Sequence, residues 1–291
     1  MKLVTFHTPD GPKPGAVHPE TNHIVDLHAA TGGRLPGDML AFLRAGDAAM
    51  ALARQTLSRA DLAPFSRPLA ETRLLAPIRN PSKIIALARN YVAHAAEQKV
   101  APPKSPVIFA KYPSAIIGPE EAIRWEGTLT QQVDAEAELA VIIGRRARHV
   151  PEEEALRYVA GYTCCNDVSA RDLQFADKQY TRGKSLDTFC PLGPWLVTGD
   201  EVPDPQNLEI RGIWNGTVMQ HASTADMSFG VAYLIAFLSR AFTLLPGDII
   251  ATGTPAGVGV FREPPVFLQD GDEVVVEIER IGKLRNPCEV R

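Results

Sequence analysis

Val133-Asp134-Ala135-Glu136-Ala137-Glu138-Leu139-Ala140-Val141-Ile142-Ile143 joins two glutamates spaced i, i+2 to an apolar run without polar alternation. In a strand, residues i and i+2 share a face, so Glu136 and Glu138 stand side by side at roughly 6–7 Å along the chain. A run such as Leu-Ala-Val-Ile-Ile reads as a strand covered on both faces, which points the carboxylates into a protected cleft. Like charges held there share a proton or bind a cation. Asp167 closes the next apolar run at Cys164-Cys165-Asn166-Asp167 and supplies a third acid. Three carboxylates without Cys or His form a hard, all-oxygen set suited to Mg²⁺, Mn²⁺ or Ca²⁺ rather than Zn²⁺. The competing reading is a solvated strand edge carrying Asp134, Glu136 and Glu138.

Outward from this stretch, the pattern is mostly β. Strands are expected at Lys83–Ala88, Val107–Ala110, Glu136–Ile143, Gly161–Asn166, Leu192–Thr198, Leu208–Trp214, Ile249–Thr252 and Glu273–Ile278. Helices are expected at Tyr91–Gln98, Glu152–Tyr158 and Phe229–Phe242, the second beginning at Pro151 with three glutamates behind it. Residues 1–30 read as short strands joined by turns, followed by helical patterns at 37–45 and 47–62 and a proline-rich connector over 64–81. The expected fold class is a β-rich α+β sandwich or barrel, with a small α+β N-terminal domain at 1–72 and a larger domain at 73–291.

The 291 residues can bury a substantial core, and 45% hydrophobic with 22% charged residues is an ordinary globular balance. A formal net charge of −4 leaves no footprint for nucleic acid or an anionic membrane. No apolar stretch approaches the roughly 18 residues that span a bilayer, and Met1–His7 turns polar too early for a signal peptide, so a cytoplasmic location is expected. Cys164, Cys165, Cys190 and Cys288 lack metal-ligand spacing and are expected as reduced, buried thiols.

Further constellations carry chemistry. If Arg89-Asn90-Tyr91-Val92-Ala93-His94-Ala95-Ala96-Glu97 is helical, His94 and Glu97 are i, i+3 neighbours, either a general-base dyad or an incidental surface pair. Thr252-Gly253-Thr254-Pro255-Ala256-Gly257-Val258-Gly259 follows a strand and can cradle a carboxylate or oxyanion. Arg182-Gly183-Lys184-Ser185 fails as a phosphate loop because Lys178 stands where glycine is required, which leaves Lys184 as a single cation for a substrate carboxylate or enolate. Arg171 and Gln174 follow the third acid closely and either line the same pocket or serve structure.

The order of these motifs, Asn-Tyr-x-x-His-x-x-Glu, Asp-x-Glu-x-Glu-Leu-Ala-Val-Ile-Ile-Gly, Asn-Asp-Val-Ser-Ala-Arg-Asp, Gly-Lys-Ser-x-Asp-Thr-Phe-Cys-Pro-Leu-Gly-Pro-Trp and Thr-Gly-Thr-Pro-x-Gly-Val-Gly, resembles the fumarylacetoacetate hydrolase superfamily over residues 73–291. The resemblance implies a mixed β-sandwich roll, a homodimer, and one Mg²⁺ or Mn²⁺ held by Glu136, Glu138 and Asp167. It also implies His94 and Glu97 as a water-activating dyad on a lid, and Lys184 stabilising an enolate. Gln174 and Thr254 match substrate-contacting positions, with Arg171 in the same motif. Two departures stand out: Ala135 where relatives often carry tyrosine, and Ala88-Arg89 where Gly-Leu or Gly-Lys often precedes Asn-Tyr. The expected substrate is a small keto acid, with metal-dependent hydrolysis of a C–C bond in an acylpyruvate-like β-diketo acid as first reading. The alternative is decarboxylation of an oxaloacetate-like acid or isomerisation of a hydroxymuconate-type acid.

Overall fold

The Ala137–Ile143 strand lies inside the larger of two sheets, and the computed structural model, which describes residues 1–291, shows why it lacks polar alternation. Leu139, Val141 and Ile143 point into one hydrophobic core with Ile210, Val276 and Leu234. Ala140 and Ile142 point into a second core, against Phe42, Ala53 and Leu196. Every residue of the strand is buried, and both faces are apolar because both meet protein.

The larger sheet has 12 strands. Its main path runs Ser66–Pro68, His23–Asp26, Lys13–Val17, Lys2–Phe6, Cys190–Thr198, Val159–Asn166, Ala137–Ile143, Ile249–Ala251, Ile84–Ala88 and Val107–Lys111. All these neighbours pair antiparallel except Ile249–Ala251 with Ile84–Ala88, which is parallel. A second, 5-stranded sheet follows the order Thr217–Ser223, Glu209–Trp214, Glu273–Ile278, Gly282–Val290, Ile123–Trp125. The first core is shared between the two sheets and the Val231–Ala241 helix, giving a β-rich, mixed-sheet α+β sandwich. No helix is long and apolar enough to cross a membrane.

The helices expected at 37–45, 47–62, 91–98 and 229–242 are present as Met39–Arg44, Gly46–Leu57, Val92–Glu97 and Val231–Ala241. Glu152–Tyr158 is a 3₁₀ segment, because Ala155 is its one buried residue and no apolar stripe rewards α geometry. The strands Thr217–Ser223, Gly282–Val290 and Ile123–Trp125 were not anticipated from sequence. All four cysteines are free and buried.

The larger sheet crosses residue 72. Lys2 pairs with Val197 and Leu3 with Leu196, while Leu3, Leu27, Phe42 and Ala53 share one core with Ile142, Cys165 and Leu192. Each large apolar side chain buried there contributes about 1.5–3 kcal/mol, and several lost together exceed a domain's net stability of about 5–15 kcal/mol. Deleting residues 1–72 is therefore expected to give insoluble protein, or protein without a cooperative thermal transition. A soluble 73–291 fragment that melts cooperatively in differential scanning calorimetry contradicts this expectation.

Candidate active site and metal centre

The site forms where two antiparallel strands end together. Ala137 pairs with Asn166 and Glu138 with Cys165, so Glu136 and Asp167 meet just beyond the ladder, with Asp167 N donating to Glu136 O at 3.0 Å. Asn166 Oδ1 accepts from Glu136 N at 3.0 Å, fixing the same strand end. The structure thus brings Glu136, Glu138 and Asp167 together: one oxygen from each lies within 4.8 Å of the others, and all three residues are buried. Ala135 turns the other way and packs with Val133, Val168 and Trp214.

Cations surround this cluster. Lys184 Nζ sits 2.7 Å from Glu136 Oε2 and 2.6 Å from Asp167 Oδ2. Lys111 Nζ donates to Asp167 Oδ1 at 2.6 Å and to the Lys184 carbonyl. Arg171 donates through Nε to Asp134 Oδ2 at 2.8 Å and through Nη1 to Gln174 Oε1 at 3.0 Å. Its Nη2 lies 2.7 Å from both Asp134 Oδ2 and Glu136 Oε1, as a charge contact without hydrogen-bond alignment. Four buried carboxylates, Asp134, Glu136, Glu138 and Asp167, therefore face three buried cations, Lys111, Arg171 and Lys184. The acid that no cation touches is Glu138.

The electrostatics follow that count. Burial alone would raise Glu136, but Lys184 and Arg171 beside it hold its carboxyl well below the ordinary range. Glu138 goes the other way: burial first, then Asp167 and Glu136, push it well above that range. Burial opposes the charge on Lys184, yet Asp167 and Glu136 raise it, so this side chain is a fixed ammonium. Glu138 Oε2 accepts from Gly253 N at 2.9 Å, while its buried Oε1 has no partner. An unmatched, buried carboxylate oxygen beside two more carboxylates is a donor set that fits a hard divalent cation.

The opposite wall carries the histidine. His94 Nδ1 is 2.6 Å from Glu97 Oε1, and its Nε2 is 2.7 Å from Gln98 Nε2. An ionised carboxylate only accepts, so Nδ1 carries the proton and the Nε2 lone pair accepts from the Gln98 amide, an assignment read from the hydrogen-bond network. Glu97 Oε2 in turn accepts from Gly257 N at 2.9 Å, tying the helix to the glycine loop. Gly257 has φ +108°, and a Cβ there would meet Met219 O at 2.2 Å, so only glycine lets the loop come this close. Asn90 Nδ2 donates to Thr252 O at 2.8 Å and to Phe229 O at 3.0 Å, anchoring the approach to the helix.

A cavity of about 300 Å³ joins these walls and is lined by His94, Glu136, Arg171, Gln174, Lys184 and Thr254, among others. Glu97, Glu138 and Asp167 are not among its lining residues and act from behind it. Thr254 Oγ1 donates to Ala137 O at 2.9 Å and accepts from Gln220 Nε2 at 2.7 Å, so its proton is committed to the strand end. Sequence reasoning passed over Lys111 and Gln220 and assigned no role to Asp134. Asp134 continues the two-residue spacing of Glu136 and Glu138, and Lys111 is in phase with inward-facing Phe109, so both had a readable signal. Gln220 had none.

The description "Fumarylacetoacetate (FAA) hydrolase C-terminal" belongs to the family model that matches residues 83–289. A Xenopus laevis protein named oxaloacetate tautomerase, mitochondrial, is 47% identical over 291 residues, 99% of this chain and 90% of its own length. A solved fumarylacetoacetate hydrolase from psychrophilic Exiguobacterium antarcticum is 39% identical with TM-score 0.85, covering 100% of both chains. A 5-carboxymethyl-2-hydroxymuconate delta-isomerase from Mycobacterium smegmatis is 37% identical with TM-score 0.79, again covering 100% of both.

The unmatched acid generates a prediction with a definite sign. The raised Glu138 costs the cation-free fold nothing below the unfolded carboxylate value of about 4.3, and stability is lost as pH rises through the raised value. In chelator at pH 8, Glu138→Gln is therefore expected to melt above the native protein by a few degrees, at about 2–4 °C per kcal/mol, and the gap closes toward pH 5. Adding Mg²⁺ or Mn²⁺ should raise the melting temperature of the native protein only. A variant with the full metal-dependent gain rules Glu138 out as a ligand.

Proposed function

The chain belongs to the fumarylacetoacetate hydrolase family, and from that premise we propose that it is a metal-dependent enzyme interconverting the keto and enol forms of a short 2-oxo acid of the oxaloacetate type. The observation that carries this reading is the near full-length similarity to proteins named oxaloacetate tautomerases, over 98–99% of the chain in the frog, bovine and human proteins. These relatives favour proton transfer over the C–C hydrolysis that sequence reasoning put first.

Glu136, Glu138 and Asp167 would hold a divalent cation, which would supply positive charge beside a 2-oxo group and so acidify the neighbouring C–H. The chain's own residues do the rest. His94 presents Nε2 as the base once Gln98 swings aside, and Glu97 on Nδ1 stabilises the imidazolium that forms. The proton leaves carbon for Nε2, and the C–H electron pair becomes the enol double bond as charge moves to the 2-oxo oxygen. The Lys184 ammonium, fixed between Glu136 and Asp167, faces that developing charge. Return of the proton to oxygen gives the enol, and the reverse path restores the ketone. Phe109 below Lys184 and Phe261 beside His94 limit water around both groups. Hydrolysis of a β-diketo acid is the second reading, favoured by the same intact His94–Glu97 pair, which can take a proton from water equally well.

The test follows relaxation of the oxaloacetate keto–enol equilibrium by the ultraviolet absorbance of the enol, with acylpyruvates as competing substrates. His94→Ala is expected to lower kcat about 10²–10⁴-fold, the usual contribution of a general base. Glu97→Gln should lose less, and the double variant should be little worse than His94→Ala alone, since the pair acts as one unit. Relaxation at the native rate in His94→Ala removes the histidine from the mechanism. Carboxylic acid release from acylpyruvates, without catalysed oxaloacetate relaxation, moves the assignment to hydrolysis.

A further inference from the structure

Two basic side chains on the cavity are used by nothing described so far. Arg171 and Lys184 line it and are paired with Asp134, Glu136 and Asp167. Arg89 and Lys178 line it too, yet neither makes an ion pair or a side-chain hydrogen bond with the protein, and Arg89 Nε is buried without any partner. A buried guanidinium nitrogen left unmatched is costly, and carboxylate is the group whose two oxygens match it in a bidentate pair. Glu136 is the one acid lining the cavity, and it already pairs with Arg171 and Lys184.

Their placement is fixed by the backbone. Arg89 follows the Ile84–Ala88 strand in the left-handed region at φ 56°, and the next residue, Asn90, is fastened by its amide to Thr252 and Phe229. Lys178 ends the Arg171–Asp177 helix at φ 57°, and it and Phe175 are exposed members of the cavity lining. Neither residue is one that favours this conformation, which costs on the order of 1 kcal/mol or more in a non-glycine residue. Of the lining, Glu136 and Lys184 are buried, Arg89 is half-buried and Lys178 is exposed, and the last two have nothing to bind.

We propose that Arg89 and Lys178 form a carboxylate subsite on the cavity lining that selects 2-oxo diacids over 2-oxo monoacids. The subsite deepens the keto–enol reading and rests on the 2-oxo acid head lying beside Glu136 and Lys184. Arg89 takes the distal carboxylate, and Lys178 adds charge from the solvent side. Neither touches the carbon that loses its proton, so both act on binding and specificity rather than on the proton transfer.

The experiment uses the full chain loaded with Mg²⁺ and measures calorimetric dissociation constants for oxaloacetate and for 2-oxobutanoate, which carries a methyl group in place of the distal carboxylate. Native protein should favour oxaloacetate at least about tenfold, and Arg89→Gln should weaken oxaloacetate about 10- to 100-fold while 2-oxobutanoate changes less than about twofold. Arg89→Lys should recover part of the loss, and Lys178→Gln, at an exposed position that does not threaten folding, should weaken oxaloacetate about threefold. Native protein without diacid preference, or neutral variants that keep it or lose both ligands equally, overturns the subsite. The reaction assignment fails separately: a native protein with this preference that does not relax the keto–enol equilibrium keeps the subsite and loses the tautomerase.

Discussion

One positive charge is missing from the buried cluster at the ends of the paired central strands, and the rest of the site is arranged around that deficit. Asp134, Glu136 and Asp167 each have a buried partner, whereas Glu138 has only the backbone N–H of Gly253. An uncompensated buried carboxylate is tolerated only as the acid or beside a cation. The surrounding network leaves little room to relax: Lys184 and Lys111 converge on Asp167, Gln220 and Thr254 pin Ala137, and Asn166 holds Glu136. The deficit is thus a rigid feature of the fold, which is what pre-organised binding of a small cation requires.

The two halves of the site differ in how they are held. The carboxylates ride on strand ends inside the sheet, while the histidine rides on a six-residue helix whose outer face is exposed. Glu97 ties that helix to the glycine loop, with one oxygen on the His94 ring and the other on the Gly257 backbone. A single carboxylate therefore sets both the tautomer of the base and the distance between helix and loop.

Much of this was legible in the sequence where period and burial agree. The Ala137–Ile143 strand announced two-sided burial because a parallel or antiparallel strand with protein on both faces has no solvent side to mark. The Val231–Ala241 helix announced itself by its apolar face. The Gly282–Val290 strand did not: Leu284, Asn286 and Cys288 face inward between Lys283, Arg285, Pro287 and Glu289, and an inward asparagine with an interior proline hides the alternation. Asn286 is inward because its amide donates to the carbonyls of Gly118 and Glu121, a long-range need that no local pattern reveals. The first strand was legible among the short strands read over residues 1–30, but its pairing with Cys190–Thr198, remote in sequence, was not.

That remoteness sets an order of events during synthesis. Lys2 pairs with Val197, so about two-thirds of the 291 residues are made before the amino-terminal strand meets this partner. Lys13–Val17 and His23–Asp26 join it at once as a meander, and Leu74–Leu75 later pairs with Thr5 and Phe6, but its other edge stays open at Lys2 and Leu3. At ordinary translation rates of about 5–20 residues per second, that edge waits on the order of ten seconds or more. During this interval, an unpaired apolar edge is a template for intermolecular strand pairing. Pairing between strands so remote in sequence thus leaves part of the amino-terminal edge open to wrong partners while the chain is being made.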